Sequence, residues 1–183
     1  MSQTILQKKR MRIIKHYLVI FLIIIGCGSE NINFIEIDQF SDNTKKFSIV
    51  DFEDKGFKVS KKYDVTELEN ADSAFFGWMK DDLNNTYDYE LRFYDTHYNA
   101  TKSINLIEEV IGENAVLASR DVTWKEGNSD RRVNRRGAGS GPGSAKAKYL
   151  YYIIYGNAVI LCEGLSVEES KKLCTNFINK IIQ

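Results

Sequence analysis

Residues 149–163 read YLYYIIYGNAVILCE, and this stretch decides the fold. Two runs of β-branched and aromatic residues flank Gly156 and Asn157, a dipeptide typical of a two-residue hairpin turn. Both faces of each run are apolar, as expected for strands in the middle of a sheet. The stretch therefore predicts a central β-hairpin.

The residues that follow the hairpin predict a helix. Residues 166–169 (SVEE) fit a capping box, in which a serine and a glutamate three residues later satisfy the first free backbone N–H groups. Apolar side chains then recur at helical spacing on one stripe: Cys174, Phe177, Ile178 and Ile181.

The upstream sequence predicts further strands and helices. Residues 88–95 alternate as a strand does, and a helix should run from there to Ile111, stopped by Gly112. Residues 45–59 suggest a hairpin, and Asp64 or Thr66 can begin a short helix. Residues 115–124 suggest one or two short strands. We therefore predict an α+β fold, with a largely antiparallel sheet, helices packed on one face and a C-terminal β-hairpin followed by a helix.

Composition and charge place limits on the class of protein. The 183 residues are 43% hydrophobic and 27% charged, which suits one globular domain. The formal net charge is zero, but five basic residues and no acidic residue precede Cys27. Without those five, 20 basic residues face 25 acidic ones. This acidic balance disfavours a nucleic-acid partner.

The N-terminal segment has the three parts of a secretory signal. A basic region ends near Lys15, an apolar run covers residues 17–25, and the small residue Gly26 precedes Cys27. The apolar run is about half of the roughly 20 residues that a bilayer-spanning helix needs. Residues 24–27 (IIGC) resemble the lipobox of bacterial lipoproteins.

That resemblance implies cleavage after Gly26 and attachment of membrane lipid through Cys27, with no aspartate at position 28 to retain the protein in an inner membrane. Together with the polar composition of residues 28–44 and the pattern of strands and helices after them, it gives three regions: a signal peptide at 1–26, a tether at 27–44 and a single α+β domain at 45–183. For the second half of the tether, an edge strand is the alternative. The expected location is the cell envelope, with the domain facing the periplasm or the exterior.

The two remaining cysteines have a spacing that suits a disulfide. Cys162 lies about 13 Å before Ser166 along a strand, and Cys174 lies about 12 Å after it along a helix. If the helix folds back, the two lie level, although packed layers are roughly 10 Å apart and two buried thiols remain the alternative. Two sulfurs and His97 make a poor ligand set for a metal, so we expect none.

A basic, glycine-rich stretch covers residues 125–148 and is expected to be a flexible loop. Its positive charges are candidates for contact with an anionic surface, and the alternative is a solvated loop that binds nothing. The candidates are Arg131, Arg132, Arg135, Arg136, Lys146 and Lys148.

Four aromatic residues are candidates for an apolar ligand pocket, although a small core has the same composition. These are Phe75, Phe76, Trp78 and Trp124. His97 is interpreted as a first-turn polar residue of a helix. The acidic pairs at 81–82 and 108–109 are interpreted as solvated, and no nucleophile motif is present.

These observations favour a non-catalytic module, without a cofactor, that binds a small ligand or an envelope protein. The first alternative is a structural envelope lipoprotein that docks on an anionic surface through its basic loop. The second is an enzyme whose site the sequence does not reveal.

Overall fold

A six-stranded sheet organises the domain in the computed structural model, which describes residues 35–118, 120–132 and 146–183. The strand order is β1-β5-β6-β4-β3-β2, with β1 parallel to β5 and every other pair antiparallel. The strands are β1 (Phe40–Ser41), β2 (Lys58–Tyr63), β3 (Ala71–Lys80), β4 (Thr86–Tyr94), β5 (Tyr149–Tyr155) and β6 (Ala158–Glu163).

The predicted C-terminal hairpin and helix are confirmed. Strands β5 and β6 are joined at Gly156, whose φ of 55° is the left-handed conformation that a tight turn needs. The last helix, α4 (Val167–Ile182), begins at Ser166, whose side chain accepts a hydrogen bond from the Glu169 backbone N–H. In a capping box the Glu169 carboxylate would accept a hydrogen bond from the Ser166 N–H. Here it accepts from the N–H of the preceding residue, Leu165, instead.

Helix α4 and helix α1 (Ile49–Glu53) cover one face of the sheet. The core between them and the strands is largely aromatic; the Phe177 ring stacks on Tyr89 at 4.2 Å between centroids and on Phe52 at 5.7 Å. Because adjacent strand residues point to opposite faces, Ile153 and Ile160 belong to this core whereas Ile154 and Val159 belong to the other.

The opposite face is covered by helices α2 (His97–Lys102) and α3 (Ile104–Glu108). Ala100 and Ile107 from these helices pack against strand residues such as Tyr152 and Leu161. The α+β class and the largely antiparallel sheet are as predicted. The structure differs in one respect, because both faces carry helices, which explains why the hairpin strands are apolar on both sides.

The single helix predicted between residues 96 and 111 is divided at Ser103. Its side chain donates a hydrogen bond of 2.7 Å to the Ala100 carbonyl, and its ψ of 2° departs from the helical value. Such local serine bonds compete with the helical pattern and end a helix.

Three weaker predictions fail in the first two-thirds of the domain. In place of a strand at residues 49–53, helix α1 begins where the Asp51 carboxylate accepts from the Ser48 N–H at 2.9 Å. In place of a helix after Asp64, its carboxylate accepts from the Thr66 N–H at 2.9 Å and holds a turn. The described residues of 115–124 form turns and bends but no strand.

Residues 35–44 belong to the folded domain rather than to a tether. Ile37 is 7% exposed and sits in the α4 core. The Ile154 N–H donates to the Gln39 carbonyl at 2.8 Å, and the Gly156 N–H donates to the Ser41 carbonyl at 2.8 Å. The edge-strand alternative for this segment is therefore the one that the structure supports. No helix within the described ranges is long and apolar enough to cross a bilayer.

Candidate functional site

The predicted disulfide is present between β6 and α4. Cys162 and Cys174 are bonded, with their Cα atoms 5.6 Å apart and both residues fully buried. Helix α4 packs more closely than a standard layer at this point. One turn before Cys174, the Ser170 hydroxyl donates a hydrogen bond of 2.6 Å to the Cys162 carbonyl.

The four aromatic candidates do not line one pocket, because the sheet separates them. Phe75 faces the α4 core, where its ring contacts Phe93 at 6.1 Å. Trp124 lies on the other face, edge-on to Tyr63 at 5.7 Å, and Phe76 packs beside this second cluster. Trp78 is partly buried and lies two residues after Phe76 on strand β3.

The six basic candidates do not form one exposed group. Arg131 is fully buried and Lys148 is 5% exposed, with its ammonium 2.7 Å from the Asp88 carboxylate. Arg132 donates two hydrogen bonds to the Leu117 carbonyl. Lys146 is exposed, whereas Arg135 and Arg136 lie outside the described residues, as does Cys27.

Arg131 belongs to a charge cluster inside the domain, which we call the Glu90 cluster: Glu90, Arg92, Arg131 and Trp124. The Glu90 carboxylate accepts from Arg131 at 2.9 and 3.2 Å and from Arg92 at 2.7 Å. Both guanidinium groups lie within 5 Å of the Trp124 ring centre. Two guanidinium groups share this single carboxylate, and Arg92 Nη2 has no hydrogen-bond partner among the described residues.

The electrostatics of the Glu90 cluster favour the charged form of the carboxyl. Burial alone would raise the pKa of Glu90, but the positive charges of Arg131 and Arg92 outweigh burial and hold the pKa below its ordinary value of 4.5. This cluster is closed to solvent and its carboxylate is bonded to both guanidinium groups, so we interpret it as structural. It fixes the segment around Arg131 to the sheet.

The best candidate for a binding site is a surface cleft of about 380 Å³ at the end of the sheet where β5 turns into β6. Three separate segments form it: residues 42–46 after β1, residues 95–98 at the start of α2, and the hairpin turn. We call it the Asn157 cleft. Its lining residues are Asp42, Asn43, Thr44, Lys45, Lys46, Asp95, Thr96, His97, Tyr98 and Asn157.

Asn157 holds the three segments of the cleft together. Its carbonyl oxygen accepts from the Phe47 N–H at 2.7 Å. Its amide donates to the Phe47 carbonyl at 3.0 Å and to the Tyr94 carbonyl at 2.7 Å. With 4% of its surface exposed, Asn157 is a buried connector whose bonds fix the shape of the cleft floor.

His97 is oriented by the same turn. Its Nδ1 lies 2.7 Å from the Gly156 carbonyl oxygen, which can only accept, so Nδ1 carries the proton. In the neutral ring the other nitrogen, Nε2, is then an acceptor. The bond at Nδ1 goes to a carbonyl and not to a carboxylate, so this geometry lacks the oriented His–carboxylate pair of a catalytic triad.

The charged groups of the cleft are of both signs. Hydrogen bonds from Asn99 and Thr96 lower the pKa of Asp95, and the positive charge of Lys46 acts in the same direction. The Lys46 ammonium lies 3.4 Å from the Asp72 carboxylate and the Lys45 ammonium 2.7 Å from the Asp51 carboxylate, while both lysine side chains stay more than half exposed. The cleft therefore offers carboxylates and ammonium groups side by side to a polar ligand.

Of the residues that line the cleft, the sequence drew attention only to His97, and His97 was interpreted as a first-turn polar residue of a helix rather than as a functional one. Asn157 was predicted only to form the hairpin turn. The signal was weak because the three segments are more than 45 residues apart in the chain. No group of three or more histidine, cysteine, aspartate or glutamate side chains in the described ranges is placed to hold a metal ion.

Comparison with known proteins gives one match. The model of a family of unknown function, DUF6810, matches residues 48–183. No curated protein and no solved structure matches this chain.

Proposed function

The chain belongs to the DUF6810 family of unknown function, and on that premise we propose that it is a lipid-anchored, extracytoplasmic binding module. In this proposal Cys27 carries the lipid, the domain faces the periplasm or the exterior, and the Asn157 cleft takes a small polar ligand. The module is not an enzyme. The preformed cleft is the observation that carries the proposal.

The state of the cysteines supports the location. Cys162 and Cys174 are bonded to each other, so Cys27 is the only cysteine of the chain left for lipid. Structural disulfides persist in oxidising compartments such as the bacterial periplasm and are rare in the cytosol. The disulfide and the lipobox are independent features, and both favour export.

The construction of the cleft supports binding. Asn157 and His97 are fixed by hydrogen bonds to the backbone before any ligand arrives, so little conformational entropy is lost on binding. Carboxylates and ammonium groups line the same opening. These groups suit a ligand that itself carries both charges, such as an amino acid or a short peptide.

The anchor is tested by the intact mass of the protein extracted from membranes, with Cys27→Ala beside the wild type. The expected mass is that of residues 27–183 plus acyl chains, and the variant should lack the addition. A full-length, unmodified wild-type mass would remove the anchor from the proposal.

The binding role is tested by NMR titration of the isotope-labelled domain with amino acids, dipeptides and monosaccharides. We expect shifts at residues 42–46 and 95–98 with one class, and weaker binding by Lys46→Ala. Lys62→Ala, an exposed lysine on β2, is the matched control and should bind as the wild type does. Shifts confined to other surfaces would move the site away from the cleft.

Neither alternative function gains comparable support. Docking through the basic loop loses two of its six candidates, because Arg131 and Lys148 are paired inside the domain. The enzyme alternative gains one observation, since His97 lies beside carboxylates and hydroxyl groups in the cleft. Turnover of a bound ligand that His97→Gln abolishes would favour it over the binding module.

A further inference from the structure

The end of the sheet opposite the cleft carries an exposed apolar side chain at its tip. Leu83 lies in the turn between β3 and β4 and is 82% exposed, the highest value among the large apolar residues described. The Asp81 carboxylate accepts hydrogen bonds from the Leu83 and Asn85 N–H groups at 2.9 and 2.8 Å. These bonds fix the turn, so the exposure of Leu83 belongs to a defined conformation.

The described chain enters the domain at this same end. Ile35, 51% exposed, donates its N–H to the Asn179 side chain at 3.1 Å, and the Asn179 amide donates back to the Ile35 carbonyl at 2.9 Å. The next residue of α4, Lys180, donates to the Lys80 carbonyl at 3.1 Å and pairs with Asp82 at 2.9 Å. Adjacent residues of one helix thus hold Ile35 and the Leu83 turn close together.

We propose that this end of the domain lies against the surface of the bilayer, with the Leu83 side chain inserted at the interface. We call it the Leu83 face, and it comprises residues 35–36, residues 80–83 and Lys180. The inference rests on the proposed lipid anchor. Cys27 precedes Ile35 by eight residues, which span at most about 29 Å when fully extended. An anchor at Cys27 therefore keeps the Ile35 end of the domain within that distance of the lipid.

The charged groups of the Leu83 face do not drive the contact with lipid, so the contact depends on the apolar side chain of Leu83. Lys180 is paired with Asp82, and the Asp81 carboxylate is used inside the turn. Lys80 and Glu36 are exposed and of opposite sign. These three carboxylates and two lysines give no excess of positive charge, so anionic headgroups add no attraction and the contact should form at least as well on zwitterionic as on anionic lipid.

This orientation gives the Asn157 cleft a direction. Strand β4 pairs Thr86 with Lys80 at the Leu83 end and Phe93 with Ala158 at the cleft end. Seven residues of strand separate these levels, or about 24 Å. With the Leu83 face on the bilayer, the cleft opens away from the lipid, where a soluble ligand reaches it.

The experiment places a fluorophore at each end of the lipidated full-length protein on phosphatidylcholine vesicles. Leu83→Cys offers one reactive thiol, because Cys27 is acylated and the other two cysteines are bonded and buried. Tyr98→Cys, at the cleft end and 65% exposed in the wild type, is the matched control. Circular dichroism of both labelled variants checks the fold.

The expected result is a blue-shifted emission at position 83 that spin-labelled lipids quench at least threefold more than the emission at position 98. Equal or absent quenching at position 83, on protein that floats with the vesicles, overturns the orientation and leaves the anchor intact. Protein that does not float and carries no lipid overturns the anchor and the orientation together.

Discussion

At the scale of single residues, Glu90 is the most consequential side chain of the domain. It is fully buried between Arg92 and Arg131, and it balances one of their two positive charges. Removing one member of a buried ion pair leaves the other uncompensated, which costs more than the pair itself gains. The fold therefore depends on a carboxylate that is buried away from solvent.

Glu90→Gln should lower the free energy of unfolding by about 3–5 kcal/mol, because two buried guanidinium groups lose their counter-charge. Urea unfolding followed by circular dichroism measures this. Glu67→Gln, at an exposed glutamate, is the control and should change stability by less than about 0.5 kcal/mol. Equal stability of the two variants would contradict the structural role of the Glu90 cluster.

The same residue predicts a dependence on pH. The pKa of Glu90 lies below its ordinary value of 4.5 in the folded protein, so the folded state favours the charged form. The resulting stability is complete above 4.5 and is lost as the pH falls from there through the folded pKa. Glu90→Gln lacks this contribution.

The difference in unfolding free energy between wild type and Glu90→Gln should therefore be constant near neutral pH and shrink below about pH 5. Urea titrations at several pH values test this. Other carboxyls with lowered pKa, such as Asp51 and Asp81, are present in both proteins and cancel in the difference. A difference that grows as the pH falls would mean that the folded state favours the neutral form of Glu90, which would contradict the prediction.

At the scale of elements, the disulfide joins β6 to α4 across a separation of 12 residues. A link of this size stabilises a domain by about 3 kcal/mol, mainly by restricting the unfolded chain. Cys162→Ala with Cys174→Ala should lose about 2–4 kcal/mol of unfolding free energy. Cys27→Ala, measured beside it by the same urea titration, should keep the unfolding free energy of the wild type. An equal loss in both variants would refute the disulfide between Cys162 and Cys174.

Strand β1 leads to another prediction. A chain that begins at Lys45 lacks Ile37, the β1 backbone bonds and the Asn179 bonds to Ile35, so it should unfold about 3 kcal/mol more easily than one that begins at Ile35. It also leaves the edge of β5 uncovered, and light scattering should detect association. Equal stability and solubility would return residues 35–44 to the role of a tether.

The sequence predicted an element correctly when the residues that determine it lie within that element. The hairpin at 149–163 and helix α4 carry their own turn, cap and apolar stripe, so a local pattern was sufficient. Helix α1 is five residues long and begins with hydrogen bonds between Ser48 and Asp51. The apolar residues Phe47, Ile49 and Phe52 around this cap had the look of a strand instead. Strand β3 lacks simple alternation, because both faces of the sheet are covered.

At the scale of the whole molecule, the sequence predicted the disulfide but not the cleft. The disulfide needs only one strand and the helix that follows it. The cleft needs residues 42–46, 95–98 and 157 to meet at one end of the sheet, and that depends on a strand order which no local pattern contains. The alternation of residues 88–95 predicted the strand but not the burial of Glu90 and Arg92, because their partner Arg131 lies 39 residues beyond Arg92.

The pairing of Arg132 with Ala147 has a practical consequence. The two residues form an antiparallel bridge, and the neighbouring Lys148 N–H donates to the Arg131 carbonyl at 2.6 Å. Arg132 and Ala147 are thus held beside each other, and each doubling of the length of a connection between two such fixed points costs only about 0.6 kcal/mol. An epitope or a reporter domain grafted between these residues should leave the scaffold folded, and natural length variation should be tolerated at the same position.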